Sequence, residues 1–145
     1  MGAVFILLAV IYSVFLPHSL YDSIVNFFNS LTLAQVPGTS ISLPAPIIPA
    51  AHIALYNIVF QFCLGLGILE IAVLTLRIWL HSPLNRKAET IGNLVFWLGA
   101  SYLAISYLVN MTIMSEWFVF WAGIILIGGF SLIARAFVLL VRSIF

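Results

Sequence analysis

Residues 65–74 read GLGILEIAVL, an apolar run interrupted by a single acid, Glu70. The run lies in a longer apolar segment, about residues 50–80, and about 20 such residues suffice to cross a bilayer as a helix. An ionisable side chain at that depth is costly unless it meets protein, water or an opposite charge. We therefore expect Glu70 to be either a functional group or one half of a buried pair.

The composition of the whole chain indicates an integral membrane protein. Its 145 residues are 64% hydrophobic and only 6% charged, whereas about 25% of residues are charged in an ordinary soluble domain. The net charge of +1 argues against a nucleic-acid partner, which requires a clustered basic face. The single cysteine, Cys63, excludes an intramolecular disulfide and a thiolate metal site.

The apolar pattern predicts an all-α fold, a bundle of four transmembrane helices that forms one domain over residues 1–145. The first apolar run has no basic residue ahead of it, so we expect a retained span and not a cleaved signal peptide. Pro17 should kink this first helix. So few residues separate the last two spans that they should form an antiparallel hairpin. The spans are predicted at about residues 2–31, 50–80, 88–113 and 116–143.

Residues 32–49 should form the one long loop. Five of these residues are proline or glycine, which prevent a helix and favour turns. The basic residues, in contrast, all lie towards the opposite side of the predicted bundle. By the positive-inside rule, both termini are predicted to be cytoplasmic and the proline-rich loop to lie outside. The basic residues are Arg77, Arg86, Lys87, Arg135 and Arg142.

Depth along the helices suggests a partner for Glu70. Arg77 and Arg142 are the residues nearest the inner surface on spans two and four, and Glu70 and Arg135 each lie seven residues further in, about 10 Å at 1.5 Å per residue. Since both spans run in the same direction, we predict an intramembrane ion pair between Glu70 and Arg135. The pair could fix helix register, or Glu70 could take part in proton or ion passage. A third alternative is that the two residues do not meet, with Glu70 facing another subunit and Arg135 extending to the lipid headgroups.

Two further sets of residues share a helix face. A polar outer stripe on the first helix, which includes Ser19, Asp22 and Asn26, could be a vestibule or an interfacial helix surface. Small residues repeat every seven positions on span three. They predict a helix-packing face, because small side chains let transmembrane backbones approach closely. This second set is Gly92, Gly99 and Ser106.

The histidines are the only candidates for a cofactor site. His18 and His52 both lie towards the outer side, and two histidines on neighbouring helices can ligate a haem. The alternative is that both are hydrogen-bonded or interfacial groups without a cofactor. The sequence contains no clustered metal-ligand spacing, nucleophile–base arrangement or phosphate-binding glycine loop. We therefore expect no metal site and no enzyme activity, and the sequence specifies no cofactor.

These features favour a structural or accessory subunit of a larger membrane assembly, built from copies of this chain or with other membrane subunits in the lipid bilayer. One alternative is a small proton- or ion-coupled transporter or channel that uses Glu70. The other is a haem- or quinone-binding membrane anchor of a redox complex.

Overall fold

The computed structural model describes residues 6, 8–10, 13 and 17–144, but not the side chains of 17–19 and 142–144. The described part is mostly helical, with one short sheet. Its elements are α1 (Pro17–Asn29), β1 (Leu31–Gln35), β2 (Ser42–Pro46), a 3-10 turn (Pro49–His52), α2 (Ile53–Trp79), α3 (Leu84–Leu103), a π-helical segment (Ala104–Val109) and α4 (Ser115–Ile144).

Within the described residues, three helical stretches are long and apolar enough to cross a membrane: Pro49–Trp79, Leu84–Val109 and Ser115–Val141. They coincide with the second, third and fourth predicted spans and are compatible with a multi-pass membrane protein. Residues 2–5, 7, 11–12 and 14–16 of the predicted first span, 2–31, lie outside the described residues, so the predicted kink at Pro17 is not tested. From Pro17 to Asn29 that segment is helical.

The middle helix of the three is α3, which packs against both α2 and α4, whereas α2 and α4 share few contacts. Close approach on either side depends on glycines. A Cβ on Gly67 of α2 would lie 2.5 Å from Leu98, and one on Gly99 of α3 would lie 2.7 Å from Ile127. Helices that follow one another in the chain run in opposite directions, so each neighbouring pair is antiparallel.

The α2–α3 corner is a four-residue turn that closes with His81 in the left-handed region, at φ 50°. The Ser82 amide donates to the Arg77 carbonyl at 2.9 Å, and the His81 amide donates to Ile78 at 3.1 Å. These two bonds form a Schellman motif, which satisfies the last carbonyls of a helix. Pro83 then precedes α3 and prevents α2 from continuing.

The proline-rich segment is a β-hairpin, a structure that the sequence analysis did not predict. Pro44 and Pro46 of β2 lie opposite Leu33 and Leu31 of β1. Next to the strands, the Val36 amide donates to the Ile41 carbonyl at 2.9 Å, and the Ile47 amide donates to the Ser30 carbonyl at 3.0 Å. The hydrogen-bonded pairs therefore alternate with the pairs that contain the two prolines. Because antiparallel ladders alternate in this way, neither proline occupies a position that must donate to β1.

The hairpin turns at Pro37–Gly38. Gly38 has φ +78°, and the Thr39 amide donates to the Val36 carbonyl at 3.1 Å, which are the features of a type II turn with proline and then glycine at its centre. The hairpin folds back onto the helices, since Ala45 and Pro46 are fully buried.

The buried core lies at this end of the molecule, which we call the hairpin end. It joins Ala45 of β2 to Tyr56 of α2, to the π-helical segment and to the start of α4 around Trp117. Further along the helices burial is sparse, and in the most apolar 18-residue window of α4 no residue is buried. We call the opposite end, at the α2–α3 corner, the Arg77 end.

Candidate functional site

Glu70 lies on the side of α2 that faces α3. Its carboxylate accepts a hydrogen bond from the Asn93 side-chain amide at 3.1 Å. Asn93 is exposed and Glu70 is half-buried, so this polar pair lies at the surface of the three helices. Along α2, Glu70 is about 10 Å from Arg77 at 1.5 Å per residue. A carboxylate can accept about four hydrogen bonds. The pair therefore retains capacity for further polar partners.

The structure does not bring Glu70 together with Arg135. Arg135 is exposed on α4, and its Cβ lies 3.5 Å from the Cβ position at Gly92 of α3. Among the described residues, neither Glu70 nor Arg135 forms an ion pair. The reason is the order of the helices. Because α3 lies between α2 and α4, two charges at similar depth on these outer helices are kept apart.

A second polar contact joins α3 to α4 beside this site. The Ser131 hydroxyl donates to the Gly92 carbonyl at 2.7 Å. A Cβ on Gly92 would lie 3.1 Å from the Ser131 carbonyl oxygen, so glycine permits this approach. Gly92 and Gly99, from the predicted packing set, thus lie at the α3–α4 contact. Ser106 is half-buried in the π-helical segment.

At the Arg77 end, the Arg77 guanidinium on α2 forms hydrogen bonds to α3. Nη1 of Arg77 donates both to the Arg86 carbonyl and to the Thr90 hydroxyl. Thr90 is fully buried, and its hydroxyl donates in turn to the Arg86 carbonyl at 2.9 Å. Hydrogen bonds to a charged donor are worth about 1.5–3 kcal/mol. We interpret this cluster as a structural clamp on the α2–α3 hairpin.

At the hairpin end, His52 takes part in a local hydrogen-bond network. Its Nε2 lies 2.9 Å from the Ser30 hydroxyl, and that hydroxyl also lies 2.8 Å from the Phe27 carbonyl, to which it can only donate. The hydroxyl has one proton, so Nε2 of His52 must carry its own proton and donate. Phe27 and Tyr56 pack edge-on against the imidazole at ring-centroid distances of 5.3 and 6.4 Å.

An apolar groove of about 520 Å³ lies beside this network, between the hairpin, α1 and α4. The Trp117 indole forms part of its wall and donates to the Pro44 carbonyl of β2 at 3.1 Å. This bond fixes the hairpin to the start of α4. The groove is lined by Phe27, Leu31, Val36, Leu43, Pro44, Trp117, Phe118, Trp121, Ala122 and Ile125.

The predicted polar stripe on α1 is separate from Glu70. Asp22 and Asn26 are exposed, while the side chain of Ser19 lies outside the described part. Leu20 and Ile24 of α1 border a groove with residues 55–62, in the first half of α2. Since Glu70 lies in the second half of α2, the structure does not bring the stripe and the acid together.

Sequence reasoning missed Asn93 and Thr90, the two partners that α3 supplies to α2. A usable signal was the tight turn near Ser82–Pro83. In an antiparallel helical hairpin, residues equally distant from the turn lie side by side. Glu70 is eleven residues before His81, and Asn93 is twelve residues after it.

The described residues contain no group of three or more His, Cys, Asp or Glu side chains that could hold a metal ion. Nε2 of His52 is engaged with Ser30, which leaves Nδ1 as the ring nitrogen for any other ligand. His18, the other predicted haem ligand, has its side chain outside the described part. No family model, curated protein or solved structure matches the chain.

Proposed function

We propose that the chain is a structural or accessory subunit of a larger membrane assembly. The observation that carries this proposal is the polar pair Glu70–Asn93 at the surface, about 10 Å inside a mostly apolar span. Facing hydrocarbon, a carboxylate with free acceptor capacity would be costly. A partner protein that covers the pair removes that cost by supplying donors.

The distribution of burial supports the same conclusion. The hairpin end has a packed core, but α4 exposes large apolar side chains along its length, including Ile125, Leu132 and Phe137. Exposed apolar side chains suit both lipid and a partner helix. The Glu70–Asn93 pair on the same three helices, in contrast, is unfavourable next to lipid tails and therefore favours a partner protein.

We also propose the orientation predicted by the positive-inside rule. Arg77, Arg86 and Lys87 cluster at the α2–α3 corner, and by the positive-inside rule this supports a cytoplasmic location for the corner and both termini, with the hairpin outside. Reporter fusions at the C-terminus and at Gly38, in the hairpin turn, test this orientation. A cytoplasmic reporter should be active only at the C-terminus, and the reverse pattern would overturn the orientation.

The subunit proposal is tested by quantitative co-purification. A tagged chain, expressed at its native level, is extracted in mild detergent, and the composition of the eluate is measured by mass spectrometry. We expect further copies of the chain, or another membrane protein, at a fixed stoichiometry. A monodisperse monomer with no co-purifying protein would contradict the proposal.

A matched pair of variants connects this test to the site. Glu70→Gln removes the charge from the exposed pair and should reduce recovery of the partner. Asp22→Asn removes an exposed acid on α1, away from the pair, and should leave recovery unchanged.

A further inference from the structure

We infer that the partner of this surface is a second copy of the chain, and that Glu70 of each copy pairs with Arg135 of the other. This inference rests on the proposed function and names the partner. The two copies are related by a twofold axis along the membrane normal, which passes close to Asn93.

The first observation is the pair of unmatched charges. Glu70 and Arg135 have opposite signs, lie seven residues from Arg77 and Arg142 respectively, and form no ion pair among the described residues. Arg135 is exposed and Glu70 is half-buried, so both can be reached from outside the chain. An arginine and a carboxylate suit each other closely, because the guanidinium fork matches two carboxylate oxygens.

The second observation is the order of the helices. With α3 in the middle and α2 and α4 on its flanks, a twofold rotation about the membrane normal exchanges the flanks. When two copies meet face to face, α2 of each copy therefore faces α4 of the other. A rotation about the normal also preserves depth, so Glu70 and Arg135 stay at matching levels. Both pairs form in one isologous contact, as closed dimers require.

The third observation is the chemistry of Asn93 on the middle helix. Its amide has two N–H donors and a carbonyl acceptor, and the described contact with Glu70 uses one donor. A residue that carries both donors and acceptors is self-complementary across a twofold axis. The two Asn93 side chains can then bond to each other or to the partner's carboxylate.

Arg135 is placed to reach this contact. Its Cβ lies beside Gly92, the residue next to Asn93, so a long side chain that starts there can extend over the Asn93 face. Within one chain α3 separates the two charges, whereas in the dimer no helix lies between Glu70 and the partner's Arg135.

Charge reversal tests the pairing. In lipid nanodiscs or bicelles, self-association of the full chain is measured by energy transfer between labelled copies. Glu70→Arg alone and Arg135→Glu alone place like charges together, and each should weaken self-association about tenfold or more. Mixing the two single variants restores opposite charges at both contacts and should return association to within about threefold of wild type.

The matched control is Asp22→Arg, a reversal at an exposed acid on α1, away from the proposed contact, and it should change association less than threefold. If a reversed variant does not fold, Glu70→Gln, Arg135→Gln and the double variant provide the same test as a double-mutant cycle on the association constant. Independent, additive effects would overturn the inference, and so would mixed reversed variants that fail to associate.

Cross-linking tests the position of the axis. In a Cys63→Ala background, Asn93→Cys should form a covalent dimer with a short bismaleimide. Tyr102→Cys should not, because Tyr102 is also exposed but lies nine residues along α3, half a turn out of phase at 3.6 residues per turn. Equal cross-linking at both positions, or cross-linking at Tyr102 alone, would contradict the proposed face.

Failure of this inference is distinguishable from failure of the proposed function. A wild-type chain that co-purifies with a different membrane protein but does not self-associate overturns the twofold dimer and leaves the subunit proposal standing. A chain that neither self-associates nor co-purifies with any protein overturns both.

Discussion

Removing the Thr90 hydroxyl tests how α2 and α3 are held together. Thr90 is fully buried, accepts a hydrogen bond from the Arg77 guanidinium and donates to the Arg86 carbonyl at 2.9 Å. Thr90→Val keeps the shape and removes both bonds. The bond to the charged donor is the larger loss, at about 1.5–3 kcal/mol. We therefore expect the free energy of unfolding to fall by about 2 kcal/mol.

Thr75→Val is the matched control. Thr75 lies on α2, is exposed, and its hydroxyl bonds only to the Ile71 carbonyl of its own helix at 2.9 Å. The change in helix propensity is the same in both variants, so it cancels in the comparison, and an exposed site should shift by about 0.5 kcal/mol or less.

The assay is reversible unfolding in mixed micelles with a rising fraction of SDS, followed by circular dichroism. A difference between Thr90→Val and Thr75→Val below about 0.5 kcal/mol would refute the interpretation of Arg77, Arg86 and Thr90 as a clamp between the two helices.

Three further substitutions, one of them with its own control variant, test other parts of the fold by the same unfolding assay. His81→Gly should stabilise the chain by about 1 kcal/mol, because glycine adopts the left-handed conformation without the Cβ penalty; an unchanged or lower stability would count against the Schellman corner. Gly67→Ala should destabilise by about 1–3 kcal/mol through overpacking, whereas Gly129→Ala, where a Cβ meets nothing within 4 Å, should be neutral or stabilising. Trp117→Phe leaves the Pro44 carbonyl without its indole donor and should cost about 1–2 kcal/mol with faster amide exchange in the hairpin; unchanged exchange would contradict the anchoring role of that bond.

The long apolar helices could be predicted from the sequence because hydropathy depends on composition over about 20 residues. The three described spans coincide with predicted spans to within a few residues, although α3 begins earlier than predicted, at Leu84. The β-hairpin could not be predicted in the same way. Pro44 and Pro46 normally argue against a strand, and only the register places them where no donor is needed.

The candidate site shows a different limit of sequence reasoning. Counting residues from Arg77 and Arg142 predicts the heights of Glu70 and Arg135 along their helices but not which helices are neighbours. In the structure α3 lies between them, and Asn93 takes the position next to Glu70. The short α2–α3 turn is the better predictor of the neighbour of Glu70, since it places Asn93 at nearly the same distance from the corner as Glu70.

The most direct test of the subunit proposal is the mass of the particle that contains the wild-type chain in native membrane. The tagged chain is excised from the membrane with a nanodisc-forming polymer, without detergent exchange, and weighed by native mass spectrometry. The subunit proposal predicts one dominant species with a fixed number of protein copies greater than one, either of this chain or of this chain with a partner. A dominant species of one 16.0 kDa chain with bound lipid alone would contradict it.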